Sequence, residues 1–139
     1  MKHLVFCFSS AIASVLASAV FASGVLYDCD IPEPRDSLGW LPLKVAIVFA
    51  EDGRVTVVDS VSQAYEKPPS NPRTRVRADE KVRLNWSVNG IQDSAGTYIP
   101  SLQLTGLLDR TRNTLDLTAS FPRTPQRWRE IGTCTTRTQ

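Results

Sequence analysis

The sequence predicts an all-β fold, a small closed or nearly closed antiparallel barrel of about 7–8 strands, preceded by a signal-peptide helix. Three observations carry that expectation. Apolar and polar residues alternate with a period of two in segment after segment, the pattern of strands with one buried face. Turn signals such as Glu51-Asp52-Gly53 and Asn89-Gly90 separate those segments. Two cysteines, Cys29 and Cys134, lie near opposite ends of the region after the signal. A two-sheet β-sandwich is the alternative, because periodicity does not fix which strands pair.

Residues 1–22 read as a secretory signal. Lys2 and His3 make the polar start. Residues 4–8 with Ile12, Val15, Leu16 and Val20 make the apolar centre, and small residues from Ala17 to Gly24 surround the cut, expected after Ala22. The alternative is an uncleaved anchor, since roughly 17–25 apolar residues span a bilayer. Ser9, Ser10, Ser14 and Ser18 dilute the run, however, and no basic stop-transfer cluster follows. Any membrane association would come through an uncleaved signal. Residues 23–139 are then one periplasmic or secreted domain.

Within that domain, Leu43, Val45, Ile47 and Phe49 point one way and Lys44, Ala46 and Val48 the other. Gly53 suits the positive φ of a hairpin turn, and Val55, Val57 and Val58 carry the return to about Val61. Residues 59–77 are less regular. Pro68, Pro69 and Pro72 preclude a helix or a central strand there, and residues 62–67 have room for one helical turn. Val82, Leu84, Trp86 and Val88 share a face, and Asn89-Gly90 reads as the turn ending that strand. A polar loop, residues 92–97, leads to a strand over 98–108, in which Gly106 reads as a bulge or bend. Residues 109–113 turn, and Leu115, Leu117, Ala119 and Phe121 alternate on the return.

The outermost segments alternate too: Val25, Tyr27, Cys29 and Ile31 at the start, Trp128, Glu130, Gly132 and Cys134 at the end. In an exported protein the two cysteines most simply pair, and the disulfide would close a loop of about 106 residues, to which chain entropy assigns about 4–5 kcal/mol. Free or intermolecularly bonded thiols are the alternative.

The only histidine, His3, and the third cysteine, Cys7, both fall in the signal. Nucleophilic catalysis of the Ser-His-Asp or Cys-His kind lacks its proton acceptor, a histidine pH switch lacks its group, and a zinc site would have only carboxylates to draw on. Of the 16 basic and 14 acidic residues only Lys2 lies in the signal, so the domain is near neutral, without the strongly basic charge of nucleic-acid-binding domains. No nucleic acid, metal or cofactor is expected.

Arginine outnumbers lysine 12 to 3 after residue 22. Arg73, Arg75 and Arg77 lie two apart, so on an extended segment they project from one side, with Arg83 near in sequence. Arg127 and Arg129 bracket Trp128. Guanidinium forks suit carboxylate or phosphate, which makes Arg73, Arg75, Arg77, Arg127 and Arg129 candidates for an anionic partner. A solvated face paired with Asp79, Glu80, Asp109 or Asp116 is the competing reading. Trp40, in a loop beside Gly39 and Pro42, is the candidate aromatic contact. Carboxylates are the remaining acid–base groups: Asp28, Asp30, Glu33 and Asp36 cluster, Glu51 and Asp52 adjoin, and Glu130 shares a face with Trp128 and Cys134. No pair of them marks a catalytic site.

Tyr27-x-Cys29 in the first strand, with Cys134 near the end, resembles the staple of the periplasmic inhibitors of c-type lysozyme, which are small disulfide-bearing barrels. Residues 94–98, Ser-Ala-Gly-Thr-Tyr, echo that family's Ser/Gly-containing loop. The family's second, tryptophan- and lysine-bearing motif is missing, so no functional residue is carried over. The expected function is a non-enzymatic exported binding module for a protein or small ligand, inhibition included. A carboxylate-dependent envelope hydrolase and a structural subunit of an envelope assembly are the alternatives.

Overall fold

The computed structural model describes residues 24–77 and 80–138; the expected signal, residues 1–22, lies outside them. Eight strands form one antiparallel sheet: β1 (Gly24–Asp30), β2 (Lys44–Ala50), β3 (Val55–Asp59), β4 (Arg73–Val76), β5 (Lys81–Gln92), β6 (Tyr98–Asp109), β7 (Thr114–Ser120) and β8 (Arg127–Thr138). A short helix, α1 (Ser60–Ala64), follows β3. Their order, β3-β2-β1-β8-β7-β6-β5-β4, is an up-and-down meander in which first and last strands are neighbours. A single bridge between Val57 and Ser70 joins the two ends of the sheet, so the barrel is nearly closed.

Period-two alternation divides each strand between the two faces. Val45, Ile47, Val57, Val82, Leu84, Trp86, Val88, Leu102, Leu104, Leu108, Leu115, Leu117 and Ala119 point inward and are buried. An interior of this kind is filled by side chains, and each buried aliphatic group contributes about 1.5–3 kcal/mol. At Gly106 the register runs on without a bulge, Leu84↔Gly106↔Leu117. A Cβ there would lie 3.0 Å from Leu115 Cδ1 and 3.5 Å from Trp86 Cζ3. The glycine makes room for Leu115, while a Cβ would only touch the Trp86 indole.

That indole explains where β3 ends. Trp86 Nε1–H donates to Asp59 Oδ2 at 3.0 Å, and Asp59 also accepts from Ser62 N–H (2.8 Å) and Ser62 Oγ–H (2.7 Å). Asp59 is 1% exposed and serves as N-cap of α1, satisfying a helical N–H that would otherwise lack a partner. The strand expected to reach about Val61 therefore stops at Asp59.

The second departure is at Asn89-Gly90, where the expected turn is absent. β5 continues to Gln92, with Asn89↔Ser101 and Ile91↔Ile99 paired on either side. Gly90, at φ +64, opposes Pro100, which has no N–H to offer the ladder. The chain reverses instead where Asp93 Oδ1 accepts from Ala95 N–H (3.0 Å) and Thr97 N–H (2.8 Å), a turn held by the aspartate side chain.

The sheet is sewn along two seams. Between β1 and β8 the register runs from Val25↔Thr138 to Asp30↔Thr133, with Cys29 directly opposite Cys134 and disulfide-bonded to it. Between β3 and the segment entering β4, Val57 and Ser70 exchange both backbone bonds at 2.8 Å. Pro72, two residues further, has no N–H with which to continue.

The loop between β1 and β2 plugs one end of the barrel. Ile31 and Leu41 are buried in it, Ile31 packs so closely that a Cβ on Gly132 would collide with its Cδ1 and with Asp30 O, and Trp128 Nε1–H donates to Asp36 O at 2.9 Å.

Candidate functional site

The register gathers distant arginines on one outer face. One row across the sheet is Arg75↔Arg83↔Leu107↔Asp116↔Ile131; the next is Arg73↔Asn85↔Thr105↔Thr118↔Arg129. A third, Ser87↔Gln103↔Ser120↔Arg127, lies beside it. Directly opposed residues of an antiparallel pair project from the same face, so four of the five arginines singled out from sequence project from the outside of the barrel, Arg73 and Arg75 on β4 and Arg127 and Arg129 four strands further round on β8, with Arg83 on β5 between them. Arg77 continues the row beyond β4, its N–H donating to Lys81 O at 2.7 Å.

Shallow grooves tile this face. One of about 310 Å³ is lined by Arg73, Thr74, Arg75, Arg83 and Asn85. Another, about 380 Å³, is lined by Arg83, Thr105, Leu107, Asp116, Thr118, Arg127 and Arg129. Arg83 belongs to both. Within the second, Arg129 holds Asp116 with both prongs of its fork, Nε to Oδ1 at 2.8 Å and Nη2 to Oδ2 at 2.5 Å. The hydrogen bond from Arg129, with its charge, keeps Asp116 below the ordinary carboxylate range, and Asp116 in turn raises Arg129. Among the described residues no salt bridge reaches Arg73, Arg75, Arg83 or Arg127.

Arg75 and Arg83 are directly opposed across β4 and β5. Like charges in that position are unfavourable, so the fold keeps them adjacent against a local cost. Ile131, 57% exposed, and half-buried Leu107 add apolar area to the same face.

Trp40 is half-buried in the plugged end. Its ring stacks on Tyr65 (centroids 6.2 Å apart) and meets Phe121 edge-on (5.3 Å), and Phe121 meets Trp128 edge-on in turn (5.7 Å). One side of Trp40 lines an open cleft of about 650 Å³ with Tyr98, Phe121, Pro122 and Arg123. Trp40 and the arginine face are therefore separate surfaces. Among the carboxylates, Glu130 stands half-buried opposite Leu117, and Asp59 is fully engaged by Ser62 and Trp86.

Arg83, named from sequence for its nearness to Arg77, and Asp116, named as a partner in the competing solvated-face reading, both belong to this face, and the Arg129–Asp116 pair is what that competing reading expects. The alternation in β5 already places Arg83 on the solvent side. Its neighbours depend on which strands pair, which single-strand periodicity does not contain. No family model, curated protein or solved structure matches the chain. The Cys29–Cys134 disulfide is compatible with an oxidising extracellular compartment, and among the described residues no helix is long and apolar enough to cross a membrane.

Proposed function

We propose that this is an exported, non-enzymatic binding module that engages an acidic protein partner through the outer face of β4–β8. The observation that carries the reading is the opposed pair Arg75↔Arg83 at the β4 end of an arginine-lined surface. A local arrangement that costs stability is expected where function requires it. The filled interior argues against carriage of a small ligand inside the barrel. Asp116, Leu107 and Ile131 among the arginines suit a protein surface of mixed character better than a uniformly anionic polymer. The exposed large apolar residues, Leu38, Val76, Tyr98 and Ile131 among them, lie on different elements, unlike the continuous patch of an assembly subunit. The one buried carboxylate among the described residues, Asp59, is committed to the cap and the indole, which argues against a hydrolase.

The test is Arg83→Glu, probed with an acidic peptide that mixes glutamate with apolar residues, at low and moderate salt. The substitution replaces a like-charge opposition with a favourable one and should leave the fold intact or stabilise it by about 0.2–1 kcal/mol. Binding should weaken at least tenfold, and wild-type binding should itself weaken as salt rises. Equal binding by the variant would remove the proposed site.

A further inference from the structure

We propose that the open edge of β4 accepts one added strand, supplied by a partner protein whose extended segment alternates acidic with apolar residues; this deepens the reading above and rests on it. The bond from Arg77 N–H to Lys81 O sets the phase of the β4–β5 ladder. In an antiparallel pair, hydrogen-bonded and non-bonded positions alternate, so Arg73 and Arg75 spend their backbone groups on β5 while Thr74 and Val76 turn theirs to the opposite side. Among the described residues nothing on the backbone takes them up. On β3 the Val57–Ser70 bridge fixes the phase in the same way, and Val55 presents its N–H and C=O toward the same opening.

The edge has a side-chain code as well as free backbone. Thr74 and Val76 lie in register with inward-facing Leu84 and Val82, and Arg73 and Arg75 with Asn85 and Arg83. Val76 is nonetheless 76% exposed, because no strand covers it. A strand added along β4 would set one alternate row of side chains beside Thr74 and Val76 and the other beside Arg73 and Arg75. Apolar groups fit the first row and carboxylates the second, and the main-chain bonds supply the affinity of strand addition. A second copy of β4 fits poorly, because its own arginines would meet these. Charged residues and proline are the usual guards of an edge against self-pairing, and here the same charge selects the partner.

The probe is an acetylated, amidated peptide of alternating glutamate and valine, seven residues long, added to the intact disulfide-bonded chain and followed by amide hydrogen exchange. The expected result is exchange slowed at least tenfold at Thr74 and Val76, with binding weakened at least tenfold by Val76→Pro, which removes an edge N–H, and little binding of a lysine–valine peptide. Binding that Arg83→Glu abolishes, but that leaves exchange at Thr74 and Val76 unchanged, would overturn strand addition while the arginine face stands. Absence of binding to wild type would overturn both. The exchange measurement needs no substitution and decides the matter even if Val76→Pro fails to fold.

Discussion

The two seams of this barrel are opposite in character. At the β1–β8 seam six register pairs and a disulfide join the ends of the chain. At the β3–β4 seam a single bridge, Val57↔Ser70, joins the sheet's two edges, and Pro72 stops the ladder there. The difference teaches where the molecule keeps its rigidity and where it keeps unsatisfied bonding capacity. The tied seam is held by backbone pairing and by a covalent bond. The loose one leaves backbone groups, an exposed valine and a row of arginines beside one another.

The largest effect expected is at the tied seam. Replacing both cysteines, Cys29→Ser with Cys134→Ser, should lower stability by about 4 kcal/mol on the chain-entropy account, measured by chemical denaturation. A loss under about 1 kcal/mol would mean that backbone pairing alone closes the β1–β8 seam. Next in size is Asp59→Ala, which removes the cap of α1 and strands Trp86 Nε1–H in the core. About 3 kcal/mol is expected from the lost cap and the buried unpartnered donor. Because Asp59 closes β3, amide exchange at Val57 and Ser70 should accelerate more than at Asp28 and Thr135. Equal acceleration at both seams would break the contrast between them.

The smallest effect belongs to the arginine face itself. Arg129 holds Asp116 below its ordinary value of 3.8, so the pair stabilises the fold above the unfolded carboxylate pKa. That contribution is lost as pH falls through the lower, folded value. Because Arg129 is largely exposed, Asp116→Asn should cost less than about 1 kcal/mol at neutral pH. Wild type and variant should converge in stability as the solution is acidified below about pH 4. A gap that widens on acidification would contradict the assignment of the pair.

Much of the fold was legible in the residues, because burial on one face of a strand writes itself as alternation: the hairpin through Gly53 and the hairpin through residues 109–113 follow from it with their turn signals, while the two end strands were linked only by the expected Cys29–Cys134 bond, and their pairing came from the structure. Asn89-Gly90 misled because a strong local turn signal yielded to a strand partner in which Pro100 forgave the kink. The helix at Ser60 needed the cap formed by Asp59, and the role of Gly106 needed the position of Leu115 on the neighbouring strand, neither of which has a sequence period. The arginines at 73, 75, 77, 127 and 129 were visible as residues, but how they are arranged around the barrel depended on β4 lying four strands from β8, with Arg83 and Asp116 between. Strand order is a global property, and it placed the candidate site.

The most direct test of the contrast is native-state amide exchange on the free protein, residue by residue. Asp28 and Thr135, at the tied seam, should exchange only through global unfolding, while Thr74, Val76 and Val55 should exchange close to the rate of an unprotected chain. Protection at Thr74 and Val76 comparable with that at Asp28 would mean that the β3–β4 edge is already paired, and the open-seam account would fail.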